Sequence, residues 1–178
     1  METVMLKDAL AVIHERKSVR SYTGEPVSKE DIDNILRAAM AAPAAIHMIP
    51  WKFIVVTDKI KLKTLADGLP FAKMLIKAGT GIAVCAIPKK AAMSSEEFAI
   101  LDCTCASENI LLAVEALGLG AVWTAVYPNK ELMDFVRKEL NIPQHVIPLN
   151  IIPVGHPTGE EKPQDKYDAK NIYWEKWE

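Results

Sequence analysis

"EEFAILDCTCASENILLAVEALGLGAVWTAV", residues 96–126, decides how this chain must fold. Residues 96–117 spread apolar side chains, from Phe98 to Val114, around most of a helical circumference. Such a helix has to be buried against several neighbours at once. Gly118 ends it, and "GAVWTAV" (120–126) continues as a strand. Cys103 and Cys105 project to different sides of the helix and, with Cys85, make an odd number of cysteines set in hydrophobic runs. That usage fits reduced, buried thiols better than a disulfide framework.

The elements on either side supply the cover. "WKFIVVTD" (51–58) and "GIAVCAI" (81–87) read as buried strands, with a Leu- and Lys-rich helix between them. Residues 129–140 read as a further helix, and "VIPLNIIPVG" (146–155) as a last strand whose Pro148 and Pro153 place it at an edge or make it irregular. Near the start, Leu6, Leu10 and Ile13 share one face of a short helix ending near Arg16, and turn residues follow. Ser28 and Asp31 form a capping-box-like start for a helix with the stripe Ile32, Ile35, Leu36 and Ala39, stopped by Pro43. The order of elements implies α+β or α/β, with helices on a mixed sheet. From His156 onward the chain is polar and turn-rich, then aromatic in "NIYWEKW". That tail is too long for a compact connection and too aromatic for disorder, so it is expected to lie over a surface, a partner subunit among the candidates.

Composition narrows the function classes. With 178 residues, half hydrophobic and a quarter charged, residues 1–178 can form a single domain around a sizeable core. A net charge of -2 and a pI near 6.1 provide no basic field for nucleic acid. The start lacks a signal-peptide run, and no stretch reaches the roughly 18 apolar residues of a membrane helix. The expectation is a cytoplasmic protein without membrane or nucleic-acid partners.

Four stretches offer chemistry. "ERKSVRSY" (15–22) concentrates Arg16, Lys17 and Arg20 with Ser18. It reads either as a solvated basic helix end or as a phosphate clamp, since guanidinium groups donate paired hydrogen bonds to an oxyanion. If the helix runs on, Arg16 and Arg20 share one face. "AAPAAIHMIPWKF" (41–53) is an apolar loop after a helix stop; its Pro43, Ala44 and Ala45 bring backbone groups forward, and His47 is either a packing residue or a ligand contact. Gly118, Leu119 and Gly120 are either an ordinary left-handed helix stop or a close backbone approach to a flat ligand. Lys162 and Lys166 in "KPQDKYD" are, in isolation, solvent lysines. No Walker or G-x-G-x-x-G sequence, no metal-ligand spacing and no acid–base pair stands out.

Taken in order, these segments resemble the nitroreductase family of FMN-dependent oxidoreductases over nearly the whole chain. The family's R-R-S-x-R stretch is matched by Arg16, Lys17, Ser18 and Arg20, and its A-P-S-x-x-N-x-Q-P-W loop and strand by Ala42 to Val56. Its G-L-G after a long helix, its G-x-P, its late K-x-x-R/K and its W-x-x-W tail are matched by Gly118 to Gly120, Gly155 to Pro157, Lys162 to Lys166 and Trp174 to Trp177.

The resemblance implies an α+β three-layer sandwich, with a mixed, mostly antiparallel sheet flanked by helices and a C-terminal tail wrapping over the partner subunit. It implies a homodimer with FMN at the subunit interface, reduced by NADH or NADPH in a ping-pong cycle that ends on nitroaromatic, quinone or similar acceptors. Arg16, Ser18, Arg20 and Lys166 would hold the FMN phosphate, and Lys17 would lie at the pyrimidine edge as the charge near N1. Pro43, Ala44, Ala45 and His47 would reach the flavin from the partner, with Gly118, Leu119 and Gly120 beside the ring. The loop departs from the family at Ala44, His47 and Ile49, which replace Ser, Asn and Gln and leave fewer hydrogen-bonding groups. A flavin-binding regulatory or storage protein without efficient turnover is the alternative. Set apart from the family, the chain also reads as a helical interaction module. Dimerisation has its own physical basis, in the all-round apolar helix and the unburied rings of the tail.

Overall fold

Side-chain caps start the helices at their expected places. A computed structural model describes residues 8–177; Leu6 of the expected first stripe lies outside the described residues. Asp8 caps α1 (Ala9–Glu15), accepting from the Leu10 and Ala11 N–H groups. Ser28 caps α2 (Lys29–Met40) at Asp31 N and donates its hydroxyl to the Asp31 carboxylate at 2.7 Å. β1 (Trp51–Val56) follows, then α3 (Lys59–Gly68) and the short α4 (Leu75–Ala78). The single Leu- and Lys-rich helix is thus two, because Pro70 cannot continue a helix. β2 (Thr80–Ala86) leads to α5 (Glu96–Ala116), the long helix, which stops at Gly118 with φ +71°. The strand expected over 120–126 is two short pieces, β3 (Gly120–Ala121) and β4 (Thr124–Ala125). Asn129 then caps α6 (Lys130–Leu140), and β5 (Ile147–Gly155) closes the sheet.

The fold is α+β. The strands run β1-β2-β5-β3, with β4 also on β5, and every pairing between these strands is antiparallel. One core lies between the sheet and α2 with α5, through Ile35, Ile82, Val84, Ile110 and Ile152. A second lies under α3, α4 and α6, through Leu62, Leu65, Ala83, Cys85, Val136 and Ile151. The two cores make the sheet the middle of three layers.

β5 corrects one expectation. It is central, not at an edge, and its irregularity is what admits the prolines. Pro148 sits opposite Cys85, at a register shift that leaves Leu149 as an extra residue. Leu149 packs in the α5-side core, and the adjacent Asn150 also faces α5, donating to Ser107 Oγ at 2.9 Å. Pro153, opposite Gly81 of β2, falls in the gap between the β3 and β4 pairings, so on that side no strand needs its missing N–H.

The first helix ends where expected, and one of the three cysteines departs from expectation. α1 ends at Glu15, and Arg16 is already extended (φ -54°, ψ 134°), so Arg16 and Arg20 share no helical face. Leu10 and Ile13 are 66% and 51% exposed, leaving Val12 as the buried residue of α1. Cys85 and Cys103 are buried, and burial pushes the Cys85 thiol up to about 12, but Cys105 is exposed. Among the described residues no helix is long and apolar enough to cross a membrane.

Candidate functional site

The basic stretch becomes extended because two of its side chains are drawn inward. Val19 and Tyr22 are buried, while Arg20 stays exposed and Arg16, Lys17, Ser18 and Ser21 remain partly exposed beside them. Val19 N donates to Ala121 O at 2.9 Å beside an isolated parallel bridge between Ser18 and Ala121. Gly120 makes this approach feasible: a Cβ there would meet Val19 Cγ1 at 2.7 Å and its Cβ at 2.8 Å. The missing side chain at Gly120 is therefore accounted for by Val19, and Gly118 by its left-handed backbone.

The other end of the chain is laid beside this stretch. Thr23 N donates to His156 O at 2.9 Å, Tyr22 bridges to Pro157, and Thr158 N donates to Ser21 O at 3.1 Å. Ser21 Oγ donates to Glu160 Oε2 at 3.0 Å, and Glu161 Oε1 accepts from Arg20 N at 2.6 Å and Ser21 N at 2.9 Å. Desolvation pushes the Glu161 carboxyl upward, but these donors outweigh it and hold it below its usual value. A depressed carboxyl stabilises the fold above its ordinary pKa, and that contribution is lost as pH falls through the lower folded value. Wild type should therefore melt above Glu161→Gln at pH 7, with the difference in melting temperature closing below about pH 4. A gap that persists in acid would refute this assignment.

Between the two ends lies an open groove of about 1020 Å³. One wall is Ile13, His14, Arg16, Lys17, Ser18 and Arg20; the other runs from Glu161 to Tyr167 and includes Lys166. Five cations, Arg16, Lys17, Arg20, Lys162 and Lys166, face two carboxylates, Glu161 and Asp165, so the groove is net positive. Among the described residues Arg20, Lys162 and Lys166 have no carboxylate within ion-pair distance, and the Arg20 guanidinium bonds Ser18 O at 3.3 Å. Among the described residues, the ion pair of Arg16 is a 3.6 Å contact to the exposed Glu108. Lys17 is more firmly engaged, its Nζ standing 2.9 Å from Oε2 of the buried Glu115 on α5. Such a surplus of donors is chemistry for an oxyanion, best for a phosphate.

The remaining expected residues lie outside this groove. Residues 43–47 sit against α5, where Ala45 N donates to Oδ1 of the buried Asp102 at 3.1 Å. Ile46 and His47 both have positive φ, 46° and 58°, a costly conformation for a β-branched residue. Leu119 is 4% exposed and belongs to the α5-side core. Three acids escaped the sequence reading. Glu115 and Asp102 carry a signal in retrospect, since a carboxylate on an otherwise apolar buried helix needs a donor. Glu161, in "GEEKP", carries none, because its partners lie 140 residues away.

Comparison with known proteins agrees over nearly the whole length. The model of the nitroreductase family matches residues 13–69 and 67–156. A protein of Archaeoglobus fulgidus, provisionally named an NADH dehydrogenase/NAD(P)H nitroreductase, is 39% identical over 175 residues, covering 97% of this chain and all of its own. The crystal structure of a similarly named protein of Parabacteroides distasonis superposes with a TM-score of 0.90 at 48% identity, over 96% of this chain and 99% of its own. An FMN-dependent nitroreductase of Clostridium difficile superposes with a TM-score of 0.86 at 29% identity, over 94% and 99% of the two chains.

Proposed function

Since the chain belongs to the nitroreductase family and is an NAD(P)H-dependent oxidoreductase, we propose that residues 1–178 act as one FMN-binding domain whose cationic groove holds the flavin phosphate. One observation carries this reading: Arg16, Ser18 and Arg20 from one end of the chain and Lys166 from the other line the same groove. The fit is chemical. A phosphate dianion offers more acceptor sites than one cation can fill, and the groove provides two guanidinium groups, two lysines beyond Lys17 and a hydroxyl.

When bound, FMN supplies the redox chemistry, taking hydride from NADH or NADPH and passing electrons in a ping-pong cycle to a nitroaromatic, quinone or similar acceptor. The chain's own residues bind and orient. Arg16 and Arg20 donate paired hydrogen bonds to the phosphate, Ser18 adds a hydroxyl donor, and Lys166 closes the opposite wall. Lys17 places positive charge at the pyrimidine edge near N1, while Glu115 fixes its ammonium from behind at 2.9 Å. Gly118, Leu119 and Gly120 present backbone beside the ring. Pro43, Ala44, Ala45 and His47 reach the flavin of a second copy in a homodimer. The exposed Leu10, Ile13, Met40 and Leu101 and the tail rings Trp174 (82% exposed) and Trp177 (80%) supply apolar surface for that dimer, with the tail lying over the partner.

Exchange of Lys17 for Met should make the bound flavin harder to reduce, seen as a more negative midpoint potential. It should also cost about 2 kcal/mol of stability, because it removes a charge-assisted hydrogen bond from a buried carboxylate. An unchanged potential would refute the placement near N1.

The proposed function is tested by purifying the protein and recording its visible spectrum. Flavin bands should bleach under NADH or NADPH without oxygen and return on adding a nitroaromatic or quinone. A yellow protein that neither dinucleotide bleaches would be a flavin carrier, and a colourless one that fails to take up FMN would sink the reading.

A further inference from the structure

The groove has an unusual construction: among the described residues, one of its walls is hydrogen-bonded to the body only along the stretch that precedes it. From His156 to Glu161 the tail is tied to residues 20–23 by hydrogen bonds and one bridge. Beyond Glu161, the hydrogen bonds found among the described residues of the tail are local ones, such as Tyr167 N to Asp165 Oδ1 and Lys170 N to Asp168 Oδ1. Residues 162–167 nevertheless form the wall that carries Lys166. Among the described residues, Glu161 is thus the last point at which the tail is hydrogen-bonded to the body of its own subunit before it turns to face Arg16 and Arg20.

We infer that the Glu161 carboxylate is a positioning residue for the anion site: by accepting from the Arg20 and Ser21 N–H groups it sets the distance between the Lys166 wall and the Arg16 and Arg20 wall. This rests on the reading of the groove as the FMN phosphate site. Its geometry favours a positioning role over chance contact. The 2.6 Å and 2.9 Å bonds converge on one oxygen, and both donors belong to the stretch that presents the arginines. The second oxygen, Oε2, is buried and has no hydrogen-bond partner among the described residues, so the carboxylate is drawn into the junction at the edge of the groove. A lysine on a flexible stem gains a phosphate contact only if its backbone is held nearby; otherwise the ordering of the whole segment opposes binding.

Electrostatics and positioning predict opposite signs here, which makes the inference testable. Glu161 is a negative charge lining a site for a dianion, so field effects alone make its neutralisation strengthen binding. Positioning alone makes its removal weaken binding. FMN and riboflavin dissociation constants should be measured by flavin fluorescence for wild type, Glu161→Gln and Glu161→Ala, with circular dichroism melting to select a temperature at which each variant is folded. Glu161→Ala should weaken FMN about tenfold, the equivalent of losing one modest charge-assisted contact. Glu161→Gln, which keeps one acceptor oxygen, should weaken it by less, about threefold. Riboflavin, which lacks the phosphate, should bind all three proteins alike. FMN bound equally or more tightly by Glu161→Ala would overturn the inference, as would a parallel loss for riboflavin, which would mark a general structural defect. Failure of the wild type to prefer FMN over riboflavin would instead sink the phosphate reading itself.

Discussion

Replacing Arg16 and Arg20 together by alanine should weaken FMN binding by about a hundredfold to ten-thousandfold, while riboflavin binding stays as in the wild type. Each guanidinium contributes charge-assisted hydrogen bonds worth about 1.5–3 kcal/mol, and 1.4 kcal/mol is tenfold in affinity. Little is lost elsewhere. Among the described residues, Arg16 gives up its 3.6 Å contact with the exposed Glu108, and Arg20 its bond to Ser18 O. Exposed ion pairs of that kind contribute about 0–1 kcal/mol. Stability should therefore be nearly unchanged, and equilibrium titration with the two flavins separates loss of the phosphate clamp from loss of the fold. A double variant that keeps wild-type affinity for FMN would remove the arginines from the site.

Gly155→Ala should destabilise the protein by about 3 kcal/mol, the upper end of what overpacking costs. An added Cβ would meet the Ala78 carbonyl oxygen at 2.6 Å, Ala78 Cα at 2.9 Å and Tyr22 Cδ1 at 2.9 Å. Two of those three neighbours are backbone and cannot swing aside. The third belongs to the buried ring whose hydroxyl donates to Val19 O at 2.8 Å and so braces the basic stretch from beneath. For a chain of this size the melting temperature should fall by roughly 6–12 °C. Because Gly155 is the last residue of β5 and Tyr22 bridges to Pro157, FMN affinity should decline as well, even though Gly155 lies outside the groove. A melting temperature within a degree or two of wild type would show that Ala78 and Tyr22 yield more easily than this packing implies.

Local signals in the sequence were read well because the physics that sets them is local. The boundaries of α5, the Ser28 cap with Asp31 and the Asn129 start of α6 each depend on residues within one or two helical turns. The place of β5 does not. Pro148 and Pro153 argued for an edge, but a bulge at Leu149 and a gap between β3 and β4 absorb both, and these depend on strands far apart in sequence. What covers the face that Leu10 and Ile13 share is equally non-local, since periodicity marks an apolar face without saying what packs on it. At the candidate site, three cations within residues 16–20 were conspicuous, whereas Lys166 drew notice through the resemblance of the whole chain. Glu161 was invisible. A carboxylate beside a lysine and a proline looks like a solvent residue until the fold sets it against Arg20 and Ser21.

The most direct test is a crystal structure of the protein grown with FMN. The phosphate should lie in the groove between residues 13–20 and 161–167, its oxygens within hydrogen-bonding distance of Arg16, Ser18, Arg20 and Lys166, with Glu161 still bonded to the Arg20 and Ser21 N–H groups. Nucleotide density at another place on the molecule, with this groove empty, would contradict the account.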